Sequence, residues 1–194
     1  MSGRVDAVVK LGGGLLRQPG RFDAALDALG ASARRYRLLI VAGGGPFADA
    51  VREVDRQIGL SDDAAHWMAV LAMDQYAHLV ASRLPGGAVV TDAGAVAAAL
   101  DAGSTPVLAP FAWLRATDPL PHAWDVTSDS IAAWVASALG VRRLLLVKPA
   151  GAAAADALDP YFPRALAAAT AWRIVAADDL DALGGALAPR VEGS

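Results

Sequence analysis

Residues 5–14 read VDAVVKLGGG, and residues 37–46 read RLLIVAGGGP. Each is a short apolar run that stops at three consecutive glycines. A short apolar run with little polar alternation suits a strand covered on both faces. The segment 21–36 between them carries Phe22, Ala25, Leu26 and Leu29 at helical spacing, with Gly30 weakening its middle. Strand, helix and strand in that order require a crossover, hence a parallel pair.

The alternation continues along the chain. Pro46 stands where the first turn of a helix accepts it, and that helix runs to about residue 58. Ser61 is placed to cap a long helix over 62–84. The apolar residues of this helix, among them Trp67, Val70, Met73, Tyr76 and Val80, surround it. Such a helix is buried, or half of it lies in a subunit interface, so a homodimer or higher homo-oligomer is expected. Further strands are expected over 88–91, 105–109, 143–147 and 172–176, and helices over 93–102, 127–139 and 179–187, with a short helix before the last strand. Residues 111–125 read as irregular and 148–163 as a loop. No repeat or linker divides the chain. The expected fold is α/β, a three-layer αβα sandwich around a mainly parallel sheet, in one domain over 1–194.

Composition excludes several functions. Of the 194 residues, 55% are hydrophobic and 19% charged, and the formal net charge is −3. A disordered chain and a basic nucleic-acid footprint are both ruled out by that balance. The absence of cysteine removes disulfides, thiolate nucleophiles and thiolate zinc sites. Asp, Arg or Pro interrupts every long apolar run, and the start has no leader pattern, so a cytoplasmic protein without a membrane partner is expected. The 17 basic residues include only two lysines, Lys10 and Lys148. An Arg-rich composition that keeps Lys at two positions makes those positions informative, because a compact ammonium differs chemically from a guanidinium.

Both lysines fall at the carboxyl ends of expected strands, the edge where ligands bind in open α/β sheets. Gly12, Gly13 and Gly14 follow Lys10, while Gly43, Gly44 and Gly45 end the second strand and open a helix. Glycine amides and a helix N-terminus favour phosphate oxygens. Neither loop is a Rossmann fingerprint or a Walker A sequence, and two ordinary strand–helix turns would also use glycine. The stretch 124–130, WDVTSDS, opens another helix. Its Asp129 either serves the helix N-terminus or stands between two cations and orients them. These parts suit phosphoryl transfer, which needs positioning and positive charge more than covalent chemistry. One lysine would stabilise the moving phosphoryl group and the other the leaving diphosphate. His66, His78 and His122 show no metal spacing, so no metal ligand is expected among them.

The order of these parts resembles the amino acid kinase family across about residues 5–188. Lys10, Gly12 and Gly13 match its Lys-x-Gly-Gly strand end. Gly43–Gly45 match its second glycine turn, and Asp129-Ser130-Ile131-Ala132-Ala133 its Asp-[Ser/Thr]-x-Ala-Ala helix start. Residues 66–69, 72–76 and 124–130 are similar to the methanofuran-biosynthesis branch of the family. The resemblance implies a kinase using ATP and Mg2+, with Lys10, Asp129 and Lys148 catalytic. It implies nucleotide-phosphate contacts at Gly12, Gly13, Gly14 and Gly151; the family's Asp-Pro that meets the nucleotide is matched only by Asp159-Pro160, after an alanine run in which the loop departs from the family pattern by losing polar groups. For the acceptor it implies a small phosphate monoester such as 5-(aminomethyl)-3-furanmethanol phosphate, met by Gly43, Gly44, Gly45, Asp125, Thr127 and Ser128. Asp125 and Asp74 are candidates for the acceptor's ammonium, Trp67, Trp113 and Trp124 for its ring, and Arg17 for a phosphate. Other acceptors (a nucleoside monophosphate, isopentenyl phosphate or a carboxylate) and a non-catalytic nucleotide- or oxyanion-binding role remain alternatives.

Overall fold

The computed structural model describes residues 4–150 and 158–188. Six strands form one sheet: β1 (Ala7–Leu11), β2 (Leu38–Ala42), β3 (Gly87–Val90), β4 (Thr105–Leu108), β5 (Arg143–Lys148) and β6 (Ala171–Ala176). Their order is β3-β4-β2-β1-β5-β6, and every pairing is parallel. The helices are α1 (Pro19–Ala33), α2 (Gly45–Ile58), α3 (Asp62–Arg83), α4 (Ala93–Asp101), α5 (Phe111–Thr117), α6 (Ser128–Ala138), α7 (Phe162–Ala165) and α8 (Asp181–Leu187). A 3-10 turn over Gly13–Arg17 joins β1 to α1. The αβα sandwich is thus the one expected from the alternating pattern. Among the described residues, no helix is long and apolar enough to cross a membrane.

Every residue of β1 and of β2 is buried, which is why their sequences do not alternate. Successive side chains still point to opposite faces. Val8, Leu39, Val41, Leu144 and Leu146 join one apolar cluster with Ile131, Ala132 and Val135 of α6. Ala7, Val9, Leu11, Ile40, Leu145 and Val147 join the other, with Phe22, Leu26 and Leu29 of α1. α3 serves both clusters: Trp67, Val70 and Met73 pack in the first, Tyr76, Ala77 and Val80 in the second. Its all-round apolar sequence is therefore largely used within one chain.

One stretch differs from expectation. Residues 111–117, read as irregular, form α5, which ends where Asp118 adopts a left-handed conformation at φ 42°. Asp74 of α3 fixes its start by accepting the Phe111 N–H at 3.0 Å.

Candidate active site

Strand register brings the two lysines together. Lys10 pairs with Leu146 on β5, and Lys148 lies two residues further along that strand. Side chains two apart share a face, so Lys10 and Lys148 project from the same face of neighbouring strands, at their carboxyl ends. The first turn of α6 lies over that face and carries Asp129. Lys10 Nζ stands 2.9 Å from Asp129 Oδ1, and Lys148 Nζ 2.6 Å from Oδ2. Asp129 is 3% exposed, Lys10 6% and Lys148 7%, so all three charges are held out of bulk water.

Burial by itself would push the Asp129 carboxyl up, but the two ammonium groups overcome it and hold the carboxyl below its ordinary value. Lys148 is pulled down, first by burial and then by Lys10, while Asp129 and Asp159 oppose the shift. Two ammonium groups on one carboxylate leave the three side chains one unit positive. A buried cluster of that charge, at the ligand edge of the sheet, favours an anion.

The two glycine loops nest against each other. A Cβ on Gly13 would sit 2.2 Å from the Gly45 nitrogen, and one on Gly43 would sit 2.9 Å from the Gly13 nitrogen. Gly45 also has φ +53°, a backbone that favours glycine. Close backbone approach thus accounts for part of the glycine run. Gly12 N–H is spent on Val147 O at 2.8 Å and Gly43 N–H on Leu11 O at 2.9 Å. Among the described residues, no carbonyl from outside the local turn or helix accepts from the backbone N–H of Gly13, Gly14, Gly44 or Gly45. Glycine amides at such a strand edge suit phosphate oxygens.

Next to the cluster is a cleft lined by Gly44, Ala48, Arg52, Asp62, His66, Trp124, Thr127 and Ser128, with apolar residues of α3 and α6 between them. Gly44, Thr127 and Ser128 are among the acceptor residues expected from sequence. Asp125 is exposed and does not line the cleft. Asp74 does not line it either; burial pushes its carboxyl up, against the opposing Phe111 N–H. Of the three tryptophans, Trp124 lines the cleft, while Trp67 packs in the core and Trp113 against Trp134. Trp124 is pinned by its Nε1–H donating to Asp55 Oδ2 at 2.8 Å, and the Arg52 guanidinium lies 5.1 Å from its ring centroid. Arg17 pairs at the surface with Asp49. Gly151 lies outside the described residues.

Sequence reading did not single out Arg52 and Asp62, and it treated His66 as a packing residue. A signal for them exists: Gly44, Ala48 and Arg52 stand four apart, and so do Asp62 and His66. Each series marks one face of a helix. Asp159, of the Asp-Pro pair beyond the alanine run, turns its carboxylate to the first turn of α6 and accepts from Thr127 N at 3.0 Å, Thr127 Oγ1 at 2.7 Å, Ser130 N at 3.0 Å and the Ser130 hydroxyl.

Fold and site together define a class: an α/β sandwich whose central parallel strands carry paired ammonium groups and glycine turns at their carboxyl ends, an environment for oxyanions. The chain belongs to the amino acid kinase family, whose family model matches residues 7–150. It is 27% identical over 148 residues to the [5-(aminomethyl)furan-3-yl]methyl phosphate kinase of Methanocaldococcus jannaschii, a match covering 72% of this chain and 63% of that protein. The chain therefore spans less than two thirds of that relative's length. Among solved structures it resembles the uridylate kinase of Archaeoglobus fulgidus (TM-score 0.56, 20% identity, 74% of this chain and 62% of that one). The UMP kinase of Ureaplasma parvum is similar too (TM-score 0.55, 16% identity, 76% and 70%). At these identities the structural likeness concerns the fold.

Proposed function

We propose that this protein is an ATP-dependent small-molecule kinase acting on a phosphate monoester, in particular 5-(aminomethyl)-3-furanmethanol phosphate, which it converts to the diphosphate. The observation that carries the reading is Asp129, closed between Lys10 and Lys148. A carboxylate held ionised by two ammonium groups is a poor proton acceptor. His66, the imidazole that lines the cleft, is lowered by burial and by His122 to about 4 and is a weak base too. Among the described residues that line the cleft there is then no strong base, which favours an acceptor that brings its own ionised oxygen, as a phosphate monoester does. The likeness to the Methanocaldococcus jannaschii kinase supports the particular acceptor.

An acceptor phosphate oxygen bonds to the γ-phosphorus of ATP as the bond from that phosphorus to the β,γ-bridging oxygen breaks, and the electron pair leaves with ADP. Lys10 and Lys148 neutralise charge on the moving group and on the leaving diphosphate, and Asp129 fixes the two ammonium groups in place. The amides of Gly13 and Gly14 hold nucleotide phosphate oxygens. Gly44, Gly45, Ser128 and Arg52 hold the acceptor phosphate, with Asp62 for its ammonium and Trp124 for its ring; the Thr127 donors are already taken by Asp159. Among the described residues, no three carboxylate or imidazole side chains converge to hold a metal ion. A magnesium ion brought with ATP would be carried by phosphates and water, and no step here depends on it.

Phosphorus NMR of the protein with ATP, magnesium and the aminomethyl-furan phosphate tests the proposal. A diphosphate ester signal is expected, reduced by about a thousandfold or more in rate with Lys10→Ala. ATP left intact would shift the reading to another ionised acceptor, sought among monophosphates and carboxylates. Failure of that panel while ATP still binds would favour an oxyanion-binding protein without turnover. The homo-oligomer also belongs to this proposal. Its support is now Val54 and Ile58, exposed and one turn apart on α2. Sedimentation showing a monomer at micromolar concentration would remove it.

A further inference from the structure

Asp159 lies outside the Lys–Asp–Lys cluster, yet it is 8% exposed and buried against the element that carries Asp129. Its four contacts grip the first turn of α6 at both ends. Oδ2 takes the N–H and hydroxyl of the N-cap residue Thr127 and the N–H of Ser130, and Oδ1 takes the Ser130 hydroxyl. Asp129 sits between those two residues and faces the lysines. Thr127 Oγ1 also accepts from Asp129 N at 3.4 Å, so the grip extends to the backbone of Asp129 itself. The chain leaves β5 at Lys148, bound to Asp129, and returns at Asp159, bound to Thr127 and Ser130. One helical turn is thus held from two sides. A carboxylate seated on a helix N-terminus also occupies the donors that an incoming phosphate would otherwise use.

We propose that Asp159 is a positioning residue: it fastens the first turn of α6 and so sets where Asp129 stands between the two ammonium groups. Its importance for turnover rests on the kinase reading above, but its effect on the lysines does not. The charged groups that face Lys148 among the described residues are Lys10 from β1, Asp129 from α6 and Asp159 from the returning chain. Of these, Asp129 and Asp159 favour the protonated ammonium.

The chain has only two lysines, so protein labelled with 13C and 15N at lysine gives two side-chain signals, one from each ammonium of the cluster. Lys10→Arg assigns them. In Asp159→Asn, which keeps the size of the side chain and removes its charge, the Lys148 midpoint is expected to fall further than that of Lys10. In the kinase assay the same variant should lose about ten- to a hundredfold in kcat with little change in KM for ATP, because ground-state binding is untouched. Asp159→Glu should recover part of that loss. Ser130→Ala removes one bond, keeps the charge and is the milder variant should Asp159→Asn fail to fold; it should move the Lys148 signal in the same sense by less. A folded Asp159→Asn or Ser130→Ala whose two lysine signals titrate as in the parent protein overturns the proposal. If the lysines shift but no acceptor is phosphorylated, Asp159 keeps its role and the kinase reading fails instead.

Discussion

The Lys10–Asp129–Lys148 cluster joins three charges that each resist burial, and its cost appears when one is removed. Asp129→Asn keeps the shape and leaves two buried ammonium groups without their shared counter-charge. Breaking such a pair costs about 3–5 kcal/mol, so urea unfolding near neutral pH should show a loss of that order. The loss should shrink as pH rises, because Lys148, already lowered by burial and by Lys10, can shed its proton. A loss unchanged up to pH 10 would mean that lost packing dominates. Glycines give a second comparison. Gly13→Ala drives a Cβ into the backbone of Gly45, with the nitrogen 2.2 Å and the Cα 2.4 Å away, whereas a Cβ on Gly20 in α1 meets nothing within 4 Å. The first should cost about 1–3 kcal/mol or more, and Gly20→Ala should be neutral or stabilising by up to about 1 kcal/mol. Thermal melts of the two variants should therefore move in different directions from the parent. At this scale the lysines were legible because an Arg-rich chain retained Lys at two strand ends. Asp159 was not legible as a helix cap, because it lies some thirty residues from the turn it holds and sequence spacing carries no signal over that distance.

At the scale of elements, α3 decides more than any strand. Its first turns line the cleft, and its last turns pack beneath α1. His66 lies on the cleft side and stacks on His122 with centroids 4.2 Å apart and planes 14° apart. The His122 ring is clasped by Asp63 Oδ1 at Nδ1, 3.0 Å, and by Asp118 Oδ1 at Nε2, 2.8 Å, which ties the start of α3 to the end of α5. Burial and the neighbouring His122 lower His66 from 6.5 to about 4, against weaker opposition from Asp118 and Asp63. Below pH 6.5 the unfolded chain binds a proton at this position that the folded chain refuses, so stability falls as pH drops from 6.5 towards 4. Between pH 7 and pH 5 the linkage amounts to about 2 kcal/mol. Denaturant midpoints at the two pH values should show that loss in the parent and little of it in His66→Gln; equal slopes would place the linkage elsewhere. The sequence made α3 visible but left its all-round apolar surface with two readings, burial or subunit contact. The choice needed the positions of α2, α5 and strands β2, β3 and β4, which no single-helix pattern contains. α5 was missed because it is seven residues long and flanked by Pro110, Pro119 and Pro121, so local turn signals outweighed its short helical stripe.

At the scale of the whole molecule, the two apolar clusters are the two faces of the same strands. Val8 and Val9 are neighbours in β1 yet belong to different clusters, and so do Leu144 and Leu145 in β5. α3 joins both through Met73 and Tyr76. Neither cluster can lose its strands without exposing the other, so the described chain should unfold as one cooperative unit. Calorimetry is expected to show a single transition whose calorimetric and van't Hoff enthalpies agree. Two separated transitions would mean that the two faces, or the two ends of the sheet, are independent units and that the single-domain reading is wrong. The ligand edge makes the test sharper. Lys10 lies one residue before the end of β1 at the centre of the sheet, Lys148 ends β5 beside it, and Asp129 lies in the helix packed across both. A nucleotide held there binds only the assembled sheet. At a hundred times its dissociation constant, ATP should therefore stabilise the protein by about 2.7 kcal/mol and shift the whole transition upwards without splitting it. Lys10→Ala should keep the single transition and lose most of that shift if the cluster holds the nucleotide as proposed, since the cooperativity belongs to the sheet.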